Sequence, residues 1–283
     1  MIAKGYAKLN LSLNVGPSSG GFHSVDGVSV TVDVFNTVKI EKRLDDKIEF
    51  VDNPYGEDNV ALKVARAFQQ KFSTSGFSIE VQKQIPTKAG MAGSSADASA
   101  TLVALCSLFD VHTKDVLDIA RQYGSDIAYL IKGGLAKVYG KGDDVEQVEF
   151  CPLNFVVVTF AQGLSTKEVF QTFDKVGSHC YCDNDKLLSA LMSGQIHLAQ
   201  KLICNGLYLS AKTVAPKALK DDWQSLDDWC AKNLVASFTL TGTGSAKFLL
   251  TKDETEAKEL AHQLQKAGFS AFATKSTPVG VAT

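Results

Sequence analysis

The chain has 283 residues, 45% of them hydrophobic and 21% charged, with Gly 22 and Pro 6, a globular composition long enough for one large or two ordinary domains. A net charge of −2 argues against a general nucleic-acid binder, and no apolar run approaches the roughly 18 residues of a membrane span. Six cysteines are scattered through a chain too large to need disulfide staples, and Met1-Ile-Ala-Lys4 runs straight into a strand pattern with no secretory leader, so a reducing cytoplasm is the expected home.

Ala7, Leu9, Leu11, Leu13 and Val15 alternate with Lys8, Asn10, Ser12 and Asn14, which predicts a half-buried strand broken by Gly16–Gly21. Val28–Val34 and Thr37–Lys42 read as two further strands joined at Phe35-Asn36, and Ile48–Val51 as another. A helix is expected to start near Asp58 or Asn59 and to turn Val60, Val64, Ala67 and Phe68 inward. Phe77–Val81 is a strand ending at Ile85-Pro86, and Ser95–Phe109, free of Gly and Pro, is a helix that opens inside a glycine-rich loop. Asp115–Tyr123 reads as a helix stopped by Gly124, and Leu135–Tyr139 as a strand.

The pattern restarts near Phe150-Cys151-Pro152. Phe155–Phe160 is an apolar strand, Asp185–Met192 and Ile196–Leu207 are helical, and Trp223–Lys232 is a helix. Strand Ala236–Thr241 meets strand Ala246–Leu250 across Gly242-Thr243-Gly244, and helix Glu254–Ala267 precedes a closing strand Phe269–Thr274. Helices and strands interspersed in both halves give the fold class α+β.

The run Ala89-Gly-Met-Ala-Gly-Ser-Ser-Ala-Asp97 carries the strongest chemical signal. Small residues let a ligand approach the backbone, a helix opening at Ser95 directs unpaired N–H groups and its positive end there, and Ser94 and Ser95 add hydroxyls. Together they suit a triphosphate, although no Gly-Lys-Ser/Thr of a Walker loop follows. A tight small-residue turn against a packed helix fits the same residues. Asp126, after Gly124-Ser125, could orient or deprotonate a hydroxyl nucleophile, or be a solvated turn residue. Lys8 could steady phosphoryl charge or be an exposed lysine on a strand. Phe22-His23, behind the glycine turn, offers a stacking ring and an imidazole for a flat base, or a loop tip tucked into the core. Thr241-Gly-Thr-Gly-Ser245 could let a ligand or the other half of the chain approach, or be a plain hairpin. His179-Cys180-Tyr181-Cys182 has the wrong spacing for a zinc knuckle, and no metal site is expected.

In order, Ala7-Lys8-Leu9-Asn10-Leu11, Gly21-Phe22-His23, Glu57-Asp58-Asn59, Ile85-Pro86 with Ala89–Ser95, Gly124-Ser125-Asp126 and Leu240-Thr-Gly-Thr-Gly244 resemble the GHMP kinase superfamily over nearly the whole chain. The first and last of these are fairly specific to its branch that phosphorylates a cytidine-diphosphate-linked methylerythritol at the 2-hydroxyl. The resemblance implies two domains, 1–150 with the ATP loop and catalytic residues and 151–283, with the active site in the cleft between them. It implies ATP and Mg2+, a small-molecule substrate, no nucleic-acid or membrane partner, and a monomer or homodimer.

By position, Asp126 matches the family's catalytic base and Lys8 its catalytic lysine. Pro86, Thr87, Lys88, Ala89, Gly90, Met91, Ala92, Gly93, Ser94, Ser95 and Ala96 match the ATP phosphate loop, and Asn59 and Lys83 match positions near the nucleotide. Phe22, His23 and Phe170 match the cytosine pocket, and Asn10 and Thr166 other substrate-side positions. Aligned on Asp97, Ser94 stands for a family glycine and Ala96 for a serine; Gly20-Gly21-Phe22 replaces the usual Asp-Gly-Tyr, and Ala128 a proline. A GHMP-type kinase of the mevalonate, homoserine or threonine class, or a non-catalytic nucleotide-binding relative, fits these departures too.

Overall fold

A computed structural model describes residues 1–178 and 180–283. The chain opens with a long antiparallel hairpin, β1 (Ile2–Ser19) and β2 (Phe22–Lys42), turned by Gly20 and Gly21, both at positive φ. The expected break at Gly16 is absent, because Ser18 and Ser19 still pair with His23 and Phe22. Phe35-Asn36 is likewise not a connection. β2 runs through it with Asn36 paired to Gly5 and Phe35 to Tyr6, and the register slips two residues earlier, at Asp33-Val34. Asn36, in the regular part of the strand, is buried.

β3 (Ile48–Phe50), α1 (Val60–Phe72) and β4 (Phe77–Gln82) follow. Asn59 caps α1, its side-chain oxygen accepting the Ala61 N–H at 3.0 Å. Then come α2 (Gly93–Phe109), α3 (Leu117–Tyr123), α4 (Ser125–Lys132), β5 (Leu135–Gly140) and β6 (Asp144–Gln147). The expected helix from Asp115 starts as a 3-10 turn, Thr113–Val116. α4 escaped the sequence reading, since Gly133-Gly134 cuts it to a length too short to show its period.

The second half carries β7 (Asn154–Thr159), α5 (Thr166–Val176), α6 (Asn184–Met192), α7 (Ile196–Leu202), β8 (Cys204–Asn205) and α8 (Tyr208–Val214). α9 (Lys217–Asn233), β9 (Thr239–Leu240), β10 (Lys247–Thr251), α10 (Glu254–Lys266), β11 (Ser270–Lys275) and β12 (Val281–Ala282) complete it. The helix expected over Ile196–Leu207 ends at Leu202, because Cys204–Asn205 leaves it to pair with β1.

An eight-stranded sheet runs β12-β1-β2-β4-β3, with β8 on β1, β5 on β2 and β6 on β5. A four-stranded sheet, β11-β7-β10-β9, belongs wholly to the second half. The first sheet thus takes two short strands, β8 and β12, from beyond residue 150. Helices α1 to α4 cover one of its faces through Val64, Phe68, Leu102, Leu105 and Ile127 against Val38, Ile40 and Ile79. Leu9, Leu11, Val28 and Val30 pack with Phe155, Phe248, Leu187 and Leu191, so one apolar core joins the two sheets. Phe68 is fully buried in the core beneath α1 to α4; truncating such a ring to Ala costs about 3–5 kcal/mol.

This arrangement overturns the half-buried reading of β1. Lys8, Asn10, Ser12 and Asn14 are as buried as the apolar residues between them. The alternation is real, but its polar face looks into the molecule. Ser12 donates to Asn184 and Asn14 to the Cys182 carbonyl, so this face buries polar groups only with partners.

Candidate active site

The polar face of β1 borders a cavity of about 560 Å³, a size suited to a small-molecule ligand. Residues two apart on a strand share a face, so Lys8 and Asn10 enter it side by side. Lys8 Nζ donates to Asn10 Oδ1 at 2.6 Å and lies 3.4 Å from Asp126 Oδ1. The lysine side chain is only 7% exposed and that of Asp126 36%, so the ammonium is sequestered while the carboxylate remains within reach of a ligand. The exposed-lysine reading is therefore excluded. Asp126 is not in a turn but in the first turn of α4, near the positive end of the helix.

The phosphate loop forms the opposite wall. Pro86 through Ser95 all line the cavity, while Ala96 is buried beneath it. Ala92 precedes α2 in a left-handed conformation and provides no side-chain cap. The first amides of α2 are thus left to an external acceptor, an arrangement that suits an anion. Gly90, at φ +74°, is required by contact as well as by conformation: a Cβ there would sit 2.2 Å from the Thr241 carbonyl oxygen. Gly5 plays the same part below, where a Cβ would meet the Ala96 carbonyl oxygen at 2.2 Å, so that α2 can lie directly on β1.

Both sequence readings of Thr241–Ser245 hold together. The segment joins β9 to β10 as a hairpin, and it also reaches the phosphate loop. The amides of Ser245 and Ala246 donate to the Lys88 and Ala89 carbonyls, each at 3.2 Å, and Thr241 Oγ1 accepts the Asn10 N–H at 3.2 Å. Among the described residues, Lys8, Lys83, Lys88 and Lys141 line the cavity against Asp126 as its sole carboxylate. In a chain of net charge −2 this excess of cations is local, and it favours a polyanionic ligand.

Lys83 forms a salt bridge with the buried Asp97. Burial pushes the Asp97 carboxyl up, while Lys83 and Asn36 pull the other way. Asn36 donates to Asp97 Oδ1 at 2.7 Å, and its own oxygen accepts the Gln84 and Ile85 amides. It therefore fixes the approach to the loop. Asn36 went unrecognised in the sequence because Phe35-Asn36 reads locally as a turn.

At the far end, Thr166 and Phe170, one turn apart on α5, both line the cavity. Thr166 Oγ1 is 3.2 Å from Thr243 Oγ1, tying α5 to the β9–β10 turn. His23 Nε2 is 2.8 Å from Asp174 Oδ1, and its ring lies 5.2 Å from Phe170 and 5.4 Å from Phe173. Phe22 is 56% exposed at the hairpin tip with Lys141 Nζ 4.9 Å from its ring, so it is not tucked into the core. Phe22, His23, Asn59 and Ala96 do not line the cavity itself. Asn59 is engaged at its helix cap and with Asn53. His179, in the segment expected to hold no metal, lies outside the described residues.

A model of the GHMP kinases N terminal domain matches residues 59–140, the stretch from the α1 cap through the phosphate loop to β5. The chain is 30% identical over 285 residues to a 4-diphosphocytidyl-2-C-methyl-D-erythritol kinase of Corynebacterium glutamicum (strain R), covering 94% of this chain and 90% of the relative. The chain belongs to the 4-diphosphocytidyl-2-C-methyl-D-erythritol kinase family of GHMP kinases. A relative of the same name from Thermoanaerobacter pseudethanolicus is 31% identical over 212 residues, 73% of each chain. Among solved structures, a 4-(cytidine 5'-diphospho)-2C-methyl-D-erythritol kinase superposes with a TM-score of 0.81 at 24% identity, covering 98% of this chain and 99% of that one. A homoserine kinase from Cytophaga hutchinsonii follows at 0.74 and 15%, covering 100% and 96%. These likenesses show the family's α+β fold, and membership makes the chain an ATP-dependent small-molecule kinase. No helix of the described residues is long and apolar enough to cross a membrane.

Proposed function

We propose that the chain transfers the γ-phosphate of ATP to the 2-hydroxyl of 4-diphosphocytidyl-2-C-methyl-D-erythritol, a step of isoprenoid precursor synthesis, in the cytoplasm. The observation that carries this reading is the Lys8–Asp126 pair set opposite an uncapped helix N-terminus in one cavity. Asp126 would accept a hydrogen bond from the substrate hydroxyl and take its proton as the bond to phosphorus forms. Lys8, held by Asn10, would face the charge that develops on the phosphoryl oxygens. The amides of Gly93–Ser95 and the lysines at the rim would hold the triphosphate. Phe170 with His23 behind it, and Thr166, would receive the cytidine end.

The donor set fits Mg2+ carried in on the nucleotide. Among the described residues no group of three or more His, Cys, Asp or Glu is placed to cage a metal, and this cation is ordinarily held by phosphates, water and one or two protein oxygens. Ser95 and Asp126, both lining the cavity, would offer side-chain oxygens to it. The bound ion would neutralise charge on the phosphates.

The test is ADP release by the purified chain, with ATP and Mg2+, on the cytidylyl substrate, mevalonate and homoserine in parallel. Release with the cytidylyl alcohol alone is expected. Release only with mevalonate or homoserine would overturn the substrate, and binding of nucleotide without release on any of them would overturn the enzyme reading.

A further inference from the structure

Resting on the kinase reading above, we infer that Asn205 is a positioning residue for phosphoryl transfer: it fixes the Thr241–Gly244 turn, and through it the phosphate loop, relative to the strand that carries Lys8. Asn205 is 3% exposed and sits on β8, two residues long, which pairs in parallel with β1 at Ser12 and Leu13. A strand this short contributes little pairing of its own, yet its asparagine side chain makes three hydrogen bonds. The side-chain amide donates to the Leu240 carbonyl at 2.8 Å and to the Gly242 carbonyl at 2.8 Å, one on each side of Thr241. The side-chain oxygen accepts the Leu207 N–H at 2.8 Å, and Leu207 lines the cavity.

What Asn205 grips is the element on which the two walls of the site meet. Between the two carbonyls it holds, Thr241 is fully buried, with its hydroxyl oxygen accepting the Asn10 N–H. Just beyond, Ser245 and Ala246 bind the carbonyls of Lys88 and Ala89. The backbone on either side of Asn205 is tied to β1 as well, for the Gly206 N–H donates to the Leu13 carbonyl at 2.8 Å. The turn itself holds Gly242 and Gly244, both at positive φ, and has little stiffness of its own. Its placement must therefore be imposed from outside. An asparagine is suited to this because it alone among side chains of its size donates twice from one nitrogen and accepts at the other end. Asparagine at this position thus governs the distance between the loop that would hold the γ-phosphate and the Lys8–Asp126 pair, without touching either substrate.

Asn205→Ala removes the grip, and Asn205→Asp keeps the shape but sets a carboxylate against two carbonyl oxygens. Both are expected to lower kcat by about 10- to 100-fold, since misplacing reacting groups by about 1 Å costs on that order. The KM values for both substrates should move by less than about threefold, which distinguishes positioning from lost binding. In a double-mutant cycle with Thr241→Val the losses should be strongly non-additive, because both act through the same turn. Hydrogen exchange of the amides at 242–246 should quicken in the variants while those of β7 do not change. A folded variant with kcat within about twofold of wild type, or additive losses with Thr241→Val, would overturn the inference. If Asn205→Ala does not fold, the aspartate variant decides alone. Failure of the kinase reading would look different, as an inactive wild-type chain. The exchange measurement then still decides, and unchanged rates at 242–246 would refute the hold on the turn.

Discussion

The two ends of the cavity are built on different principles. The phosphate end is made of backbone: a glycine loop, the uncapped start of α2 and the β9–β10 turn, bonded to one another by main-chain amides and carbonyls. The end proposed to receive the cytidine is made of side-chain tips, Thr166 and Phe170 on α5, with His23 packed behind Phe170 and Phe22 at the nearby hairpin tip, outside the cavity lining. The first is buried and tightly knit, the second partly open, with Phe22 and Asp174 in solvent. Backbone geometry tolerates changes of side chain so long as small residues stay small. Ser94 and Ala96 can depart from the family pattern there without disturbing the cradle. Recognition by side-chain tips changes with each substitution, so under the proposed function the phenylalanine at Phe22 would bear on substrate fit and not on the reaction.

The sharpest way to break the comparison is at the reacting centre shared by both ends. Asp126→Asn should lower kcat by about 10² to 10⁴ while leaving nucleotide affinity nearly unchanged, because a positioned base contributes on that order. Stopped-time ADP assays alongside binding of a non-hydrolysable nucleotide would check this, and a variant retaining more than about a tenth of wild-type turnover would sink the base assignment.

Next in size is a probe of the backbone end. Gly90→Ala adds a Cβ where the Thr241 carbonyl oxygen stands 2.2 Å away, at a φ of +74° that disfavours it. The loop and the turn must then separate, and kcat/KM for ATP should fall by about 10²-fold. Thermal unfolding should move by only a few degrees, as a strained residue costs about 1–3 kcal/mol. An unchanged ATP dependence would mean that the loop does not cradle phosphate.

The smallest effect is expected at the side-chain end. His23→Ala removes a ring that touches Phe170, Phe173 and Asp174. It should raise KM for the cytidylyl alcohol by about tenfold with kcat within about threefold of wild type, the pattern of lost uniform binding. Equal losses in kcat and KM for ATP would instead place His23 in the fold's support. The contrast among the three variants is the real test, because each end should fail in its own kinetic parameter.

Much of the fold was legible locally. The period-two run of β1, the asparagine cap of α1, the uninterrupted Ala- and Leu-rich α2 and the apolar β7 all follow from short-range rules. Reading failed where distant chain decides local form. Asn36 lies inside a strand that runs on through Phe35-Asn36 only because β1 lies opposite and pairs Gly5 with it. The Ile196–Leu207 stretch gives up its helix at Cys204 to lie along β1, and its Asn205 acquires partners 35 and 37 residues away. α4 was too brief for its period to stand out, while the amphipathic, Ser165-capped α5 went unread although its signal was present.

The sequence by itself determined which residues could do chemistry, because a lysine, an aspartate and a glycine-rich helix start declare their types and spacings in one dimension. It also determined the family, through the order of those motifs. Only the tertiary structure decided that Lys8 is buried beside Asp126, that the polar face of β1 looks inward, and that the turn after Thr241 closes on Gly90. The reason is physical. Burial and pairing depend on what is packed opposite, and here the opposite surface comes from more than a hundred residues further along the chain.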